Sequence, residues 1–315
     1  MRLLVLLLWL GIAQAQPYPS RPVRFIVPFP PGGGVDIVAR ALDDKLSPRL
    51  GQPVVVENKP GGGTTIGTDA VAKSSPDGYT ILVSGIASQA IVHHMHPKRP
   101  FDMQRDFAPV ARIADGTIAF VVPASSKANS VQDFVALAKA NPGKLTFASS
   151  GVGGIIHLTG EMFRQAAGID IVHVPYKGTT QILPDILDAR VDLALDSLPA
   201  YLPHIQSGKV KVFAVASSRR SALRPDLPTM AEAGVPGVVA ATDYALYAPA
   251  GTPRAIVQRL YRDTAAVLEM TDFRAKLAAQ SIEVRGGTPE ALGAELASEI
   301  EKWGRVIRAA NIKVE

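Results

Sequence analysis

Three short segments carry residue types that could hold an anion. They are Phe29-Pro30-Pro31-Gly32-Gly33-Gly34-Val35-Asp36, Pro60-Gly61-Gly62-Gly63-Thr64-Thr65-Ile66-Gly67 and Ser149-Ser150-Gly151-Val152-Gly153-Gly154. Each lies where a β-rich run passes into a helical pattern. Glycine lets another group approach the backbone closely, and the first turn of a helix offers unpaired N–H groups at its positive dipole end. Such a junction can cradle an anion. Tight strand-to-helix turns would use the same glycines without any ligand. Several junctions in one chain, two with hydroxyl residues beside the glycines, point to a binding cleft.

The phosphate signatures fail on inspection. No G-x-x-x-x-G-K-[ST] occurs, and Gly151-Val152-Gly153-Gly154-Ile155-Ile156 lacks the third glycine of G-x-G-x-x-G. A small carboxylate remains, because two or three N–H or hydroxyl donors suffice to hold it. Three or four charge-assisted hydrogen bonds at about 1.5–3 kcal/mol each, offset by the entropy of capture, approach the ~8 kcal/mol of a micromolar complex. No arginine falls in the first or third loop, which favours N–H, hydroxyl and water recognition over a guanidinium clamp.

Catalytic and metal constellations are poor. G-x-S-x-G and H-E-x-x-H are absent. Ser149 or Ser150 with His157 could form a nucleophile and base, making a periplasmic hydrolase the competing class. Helix spacing puts His157 about one and a half turns past the junction, and spacing indicates no carboxylate partner. A hydroxyl pair at a helix entry and a polar wall residue is the simpler reading, and no catalytic residue is expected. His93-His94-Met95-His96 is the sole histidine cluster. It lacks a recognisable fourth ligand, and Pro97-Lys98-Arg99 beside it suggests an exposed loop, so no metal and no cofactor are expected. Asp36 and Arg40 stand at i,i+4 on a first helical turn, where a local ion pair explains both; Asp36 facing an anion would repel it unless it bonds backbone N–H instead.

The elements that must position these residues alternate. Strands are expected at Val23–Val27, Val54–Val56, Tyr79–Val83, Ile118–Val122, Leu145–Ala148, Ile171–Val174 and Val210–Val215. Helical patterns cover Asp36–Leu50, Val131–Ala140, Ile155–Ala167 and Gln181–Ala189, and 253–310 reads as almost wholly helical. This alternation predicts α/β layers with mostly parallel sheets. At 315 residues, two domains are expected.

Composition excludes several classes. With 33 Lys+Arg against 28 Asp+Glu, the net charge of +5 is too small for a nucleic-acid footprint. The absence of cysteine removes disulfides, thiolate metal sites, thiol nucleophiles and a lipoprotein anchor. Residues 1–15 read as a secretory leader: Arg2 supplies the charge, Leu3 to Ile12 an apolar run, and Ala13-Gln14-Ala15 the cleavage site. Export to a bacterial periplasm as a soluble monomer follows as an expectation.

One family fits these residues in order. Pro28-Phe29-Pro30-Pro31-Gly32-Gly33-Gly34-Val35-Asp36-Ile37-Val38-Ala39-Arg40 resembles the opening signature of the Bug proteins, the substrate-binding components of tripartite tricarboxylate transporters. The resemblance continues through Val56-Glu57-Asn58-Lys59-Pro60-Gly61-Gly62, Ser75-Pro76-Asp77-Gly78-Tyr79-Thr80, Asp106-Phe107-Ala108-Pro109-Val110 and Phe147-Ala148-Ser149-Ser150-Gly151. It then runs through His173-Val174-Pro175-Tyr176-Lys177-Gly178, Leu227-Pro228-Thr229-Met230-Ala231-Glu232-Ala233-Gly234 and Ala248-Pro249-Ala250-Gly251-Thr252-Pro253.

The resemblance implies a type II periplasmic binding protein, two α/β domains closing like a Venus flytrap on a dicarboxylate, tricarboxylate, amino acid or aromatic acid. Membrane permease subunits, or a receptor kinase in a sensor, would be its partners. Domain 1 is expected at 17–118 and 250–315, domain 2 at 119–249, with crossover strands near Ile118–Val122 and Tyr244–Pro249. The expected ligand-binding residues are Phe29, Gly33, Gly34, Asp36, Ser84, Ser88, Ser149, Ser150, Gly151, Gly153, His157, Tyr176 and Asp196, with Ser84 to Gln89 a cleft-lining loop. Two departures stand out. Family members often carry Asn-Pro and an aromatic where this chain reads Val92-His93-His94-Met95-His96, and a Trp near Tyr244.

Overall fold

The computed structural model describes residues 18–312, so the leader expected at 1–15 lies outside the described residues. The chain opens with β1 (Val23–Val27), α1 (Gly34–Leu50), β2 (Val54–Asn58), a 3-10 turn (Gly62–Thr64) running into α2 (Thr65–Ala72), β3 (Thr80–Ser84), α3 (Ile86–Met95) and β4 (Phe107–Gly116). It continues through β5 (Ile118–Pro123), α4 (Val131–Ala140), β6 (Thr146–Ser149), α5 (Ile155–Ala167), β7 (Val172–Pro175), α6 (Thr179–Leu187), β8 (Leu193–Ser197), a second 3-10 turn (Leu198–Tyr201), α7 (Leu202–Gln206) and β9 (Val210–Val215). The last part holds β10 (Thr242–Pro249), α8 (Arg254–Leu268), α9 (Thr271–Ala278), β11 (Ile282–Gly287) and α10 (Pro289–Ala310).

Two sheets result, ordered β11-β4-β10-β3-β1-β2 and β7-β6-β8-β5-β9. They are mixed, which corrects the expectation of mostly parallel sheets. β1 pairs with β2 and β3, and β6 with β7 and β8, in parallel; β10 pairs antiparallel with β3 and β4, β11 with β4, and β5 with β8 and β9. The parallel pairs are joined through helices, as parallel pairing requires. β5 and β10 instead enter from the other sheet, so no crossover helix forces their direction.

The chain passes between sheets at Thr117, between β4 and β5, and again over 216–241. Strand β10 hydrogen-bonds within the first sheet along its whole length, so 242–249 stand with that sheet rather than with the second, as the expected boundary at 249/250 had it. Three further differences are local. Ser84–Gln89 is no loop but a strand end, the N-cap Gly85 and the first turn of α3. The C-terminal stretch is interrupted by β11, held by pairing to β4 rather than by its own propensity. β8, Leu193–Ser197, was not expected as a strand, because the buried Asp196 interrupts its apolar run.

Alternate side chains of each strand feed opposite helix layers. In β1, Val23, Phe25 and Val27 face α1, α8 and α9, while Ile26 joins the layer of α3 and α10. In β5, Phe120 and Val122 face α4 and α5, while Ala119 and Val121 face α6 and the second 3-10 turn. Phe120 sits edge-on to Phe134 and Phe163, with ring centroids 5.4 and 5.1 Å away. Burial on both faces explains the nearly continuous apolar runs. Helix α10 buries Leu292, Leu296, Ile300, Trp303, Val306 and Ile307, a helical stripe. It ties α3 of the first lobe to α5 of the second, so one apolar cluster runs through both lobes.

Behind α3, Asp243 of β10 is almost fully buried, and both carboxylate oxygens accept from Ala87 N–H at 3.1 and 3.2 Å. Burial pushes its pKa up to about 7, against the pull of that hydrogen bond. The folded protein therefore keeps a proton that the unfolded carboxyl has shed above about pH 4, and the group costs stability increasingly as pH rises from about 4 to 7. We expect Asp243→Asn to gain on the wild type in urea denaturation over that window and to level off above it; a pH-independent difference would reject this. Gly67 tests the packing of α2. A Cβ there would stand 2.6 Å from the Lys59 carbonyl oxygen and 2.9 Å from Pro28 Cβ. Alanine is the better helix former by ~0.8–1 kcal/mol, but the clash with backbone wins. We expect Gly67→Ala to lose about 1–3 kcal/mol in the same assay.

Candidate functional site

All three glycine-rich junctions border one cavity of about 590 Å³ between the lobes. From the first lobe it is lined by Pro28, Phe29 and Pro30 after β1, by Pro60, Gly61, Gly63 and Thr64 after β2, and by Ser88, Ile91, Val92, Met95 and His96 of α3 and its end. From the second lobe come Ser150 through Gly154 and Ile155, at the entry to α5. No Lys, Arg, Asp or Glu is among these lining residues. The wall offers backbone amides, hydroxyls, one imidazole and apolar side chains. That set suits an anion held by neutral donors, with an apolar body beside it.

Several residues named from sequence support the cavity from behind rather than line it. The buried Asp36 carboxylate accepts from Gly32 N–H (2.9 Å), Asn58 Nδ2 (2.9 Å) and Arg40 Nε (3.0 Å), which fastens the first loop. Burial opposes its charge, yet these three donors hold its pKa below the ordinary carboxylate value. Gly33 is the N-cap of α1. Gly34 is where Tyr244 approaches; a Cβ there would lie within van der Waals overlap of its Oη. Tyr244 is thus the buried backing of the first loop. Ser84 is fully buried and accepts from Gln89 Nε2 at 2.8 Å, within a net that includes Thr68.

The Ser149–His157 segment is built around two stacked imidazoles. His157 and His173 lie 3.8 Å apart, with Phe147 stacked on His173 at 4.9 Å. His157 Nδ1 accepts from Gly153 N–H at 3.0 Å, which requires that nitrogen to be unprotonated. His173 Nε2 lies 2.6 Å from Ser149 Oγ. Desolvation pulls both rings down to about pKa 4, and for His173 the neighbouring His157 adds to it. His157 therefore holds the loop and stands outside the cavity lining. Ser149 is buried on His173, and no Ser150–His157 hydrogen bond forms, so the nucleophile–base pairing considered from sequence is not assembled.

Tyr176 Oη donates to Asp185 at 2.7 Å and lies outside the cavity wall. Asp196 is buried and accepts from Thr179 Oγ1 (2.9 Å), Ser197 N–H (2.7 Å) and Tyr201 Oη (3.1 Å), with burial raising its pKa. These contacts tie β8 to α6 and the second 3-10 turn. Of the thirteen residues named from sequence, Phe29, Ser88, Ser150, Gly151 and Gly153 line the cavity. Missed were the apolar wall of Ile91, Val92, Met95 and Ile155, and the loop residues Gly61, Gly63 and Thr64. The second glycine-rich junction was the signal for those three; Ile91, Val92 and Met95 had none, because reading Ser84–Gln89 as a loop hid α3, and Ile155 read only as the first residue of a helix.

The histidine cluster divides by role. His93 Nδ1 accepts from Arg99 Nη2 at 2.9 Å, and His94 Nε2 meets the Ile300 carbonyl of α10 at 2.7 Å. Only His96 lines the cavity. No group of three or more metal-ligating side chains occurs among the described residues.

Comparison with known proteins gives the same picture. Residues 38–312 match the family described as "Tripartite tricarboxylate transporter family receptor". The chain is 38% identical over 309 residues to Protein BugT of Bordetella pertussis, covering 97% of this chain and 95% of that one. Among solved structures it is similar to periplasmic binding protein BugD (34% identity, TM-score 0.80, covering 95% of this chain and 100% of that one). It is likewise similar to R. palustris Rpa4515 with adipate (35% identity, TM-score 0.83, covering 94% of this chain and 99% of that one). The chain therefore belongs to the tripartite tricarboxylate transporter receptor family, as a type II periplasmic binding protein whose two α/β lobes enclose a solute-binding cleft.

Proposed function

We propose that this protein captures a small carboxylate-bearing solute in the periplasm and delivers it to the permease subunits of a tripartite tricarboxylate-type transporter. The observation that carries this reading is a cleft shared by both lobes, where three glycine-rich junctions converge and the walls hold no acidic side chain. The family match and the adipate bound by Rpa4515 support it. The leader-like first 15 residues support export, and no helix among the described residues is long and apolar enough to cross a membrane.

In this reading 118–241 moves as one lobe against 18–117 with 242–312, pivoting at Thr117 and at the return segment. Ligand contacts available to both lobes only when closed shift the population toward closure. The carboxylate takes amides and hydroxyls of the Ser150–Gly154 loop and of the loops after β1 and β2, directly or through water. The protein acts as a monomer.

Isothermal calorimetry of the mature protein against mono-, di- and tricarboxylates tests this. We expect micromolar binding of at least one acid and a roughly tenfold or greater loss in Gly153→Val, whose φ of +75° disfavours any side chain. Silence across the panel, or binding indifferent to Gly153→Val, would sink the proposal.

The loop's dependence on neutral imidazoles gives a pH signature. Both folded rings titrate at about 4, below the roughly 6.5 of an exposed histidine. As pH falls, the unfolded chain takes up these protons first, so a contribution complete at pH 7 is lost between about 6.5 and 4. We expect ring resonances of His157 and His173 to titrate near pH 4 by NMR; midpoints near 6.5 would contradict the buried stack.

A further inference from the structure

We propose that His96 is the specificity-determining residue of the cleft, reading a second hydrogen-bond-accepting group that an apolar spacer separates from the ligand's first carboxylate. This rests on the carboxylate-binding reading above and goes further by assigning what the rest of the solute must look like. The ring of His96 is the single ionisable side chain among the residues lining the cavity. Its two neighbours in the cluster are spent on structure, His93 on Arg99 and His94 on the carbonyl of Ile300. The ring of His96 makes no hydrogen bond to any described residue, whereas its backbone is fixed: N–H to Val92 O at 3.1 Å, and O from Arg99 N–H at 3.0 Å.

The second glycine-rich loop leaves room for that ring. Gly63 has φ of +61°, and a Cβ built on it would lie 2.6 Å from His96 Nε2 and 3.4 Å from Cε1. Any other residue at 63 would push the imidazole from its place, so backbone conformation and close approach act together. Around it Ile91, Val92 and Met95 from the first lobe and Val152 and Ile155 from the second form an apolar wall. A cavity of about 590 Å³ has space for such a spacer beyond a bare carboxylate. An imidazole in an otherwise uncharged, largely apolar pocket can donate to an acceptor, and a ligand lacking that acceptor leaves the donor unpaired.

The test uses two matched pairs: suberate against octanoate, and terephthalate against 4-methylbenzoate. Affinities are measured by calorimetry on wild type, His96→Leu and His96→Gln. We expect wild type to bind the diacid of at least one pair roughly tenfold more tightly than its monoacid partner. In His96→Leu that ratio should fall to near one with the monoacid retained. In His96→Gln, which keeps a donor, part of the ratio should survive. Monoacid binding by both variants doubles as the check that the cleft remains intact.

A ratio unchanged in His96→Leu, or wild type that binds both members of each pair equally, would overturn the assignment. So would wild type that ignores all four acids while binding another carboxylate, and that result leaves the proposed function standing. If no carboxylate binds at all, the proposed function itself fails and this inference with it.

Discussion

Backbone amides at helix starts are the constraint around which this molecule is organised. The helix starts that follow the parallel-ladder strands β1, β2, β3, β6 and β7 are preceded by glycines, Gly33, Gly61, Gly85, Gly154 and Gly178, so none is capped by its own N-cap side chain; only at α3 does a side chain from elsewhere, Asp243, take the Ala87 N–H. A Ser or Asp at those positions would occupy the first-turn N–H groups. Helices α4 and α10, whose starts lie away from the cavity, do use side-chain caps, Ser130 and Thr288. Glycine at the N-cap forgoes only a few tenths of a kcal/mol relative to Ser, Thr, Asn or Asp, and it leaves the first-turn N–H groups to a ligand or its waters. Parallel strands place these ends at the carboxyl edge of each sheet, where α/β folds bind ligands.

A cleft made of open amides needs loops that do not collapse into it, and the structure supplies struts for the first and the third. Asp36 with Asn58 and Arg40 holds the first loop, and Tyr244 stands behind it. His157 holds the Gly153 amide in the third. The Asp36 carboxylate and the His157 ring are buried and satisfied within the protein, so neither competes with a ligand for its donors. Asp243 capping the start of α3 from strand β10 links cleft wall to interlobe return within one hydrogen-bonded unit. Helix α10 joins the apolar layers of both lobes, which therefore share one core.

Much of the architecture was legible because the signals are local. Val23–Val27 and Ile118–Val122 read as strands from their residue types, and the structure returns them within a residue, as Val23–Val27 and Ile118–Pro123. The helices over Val131–Ala140 and Ile155–Ala167 likewise follow from period and caps. Phe107–Gly116 was missed because Pro109, Arg112 and Asp115 break its apolar pattern; partners on both sides, β10 and β11, make it a strand. Arg112 there is neutralised by Asp115 and Glu295, an arrangement no local window contains. Sheet direction was misjudged for the same reason, since strand–helix alternation says nothing about strands that return from another sheet.

The sequence alone determined that glycine-rich junctions exist, that neutral donors rather than arginines surround them, and which family pattern they follow, because these are properties of residue type and spacing. Which donors face the cavity was decided only by the tertiary structure. Ser149 and Ser150 are adjacent and chemically identical, yet one is buried against His173 and the other lines the cleft, since successive residues leaving a strand point to opposite sides. His93, His94 and His96 differ in the same way, divided by what α10, Arg99 and Gly63 place beside them. Burial and partner are non-local quantities, and a residue's role in this cleft depends on both.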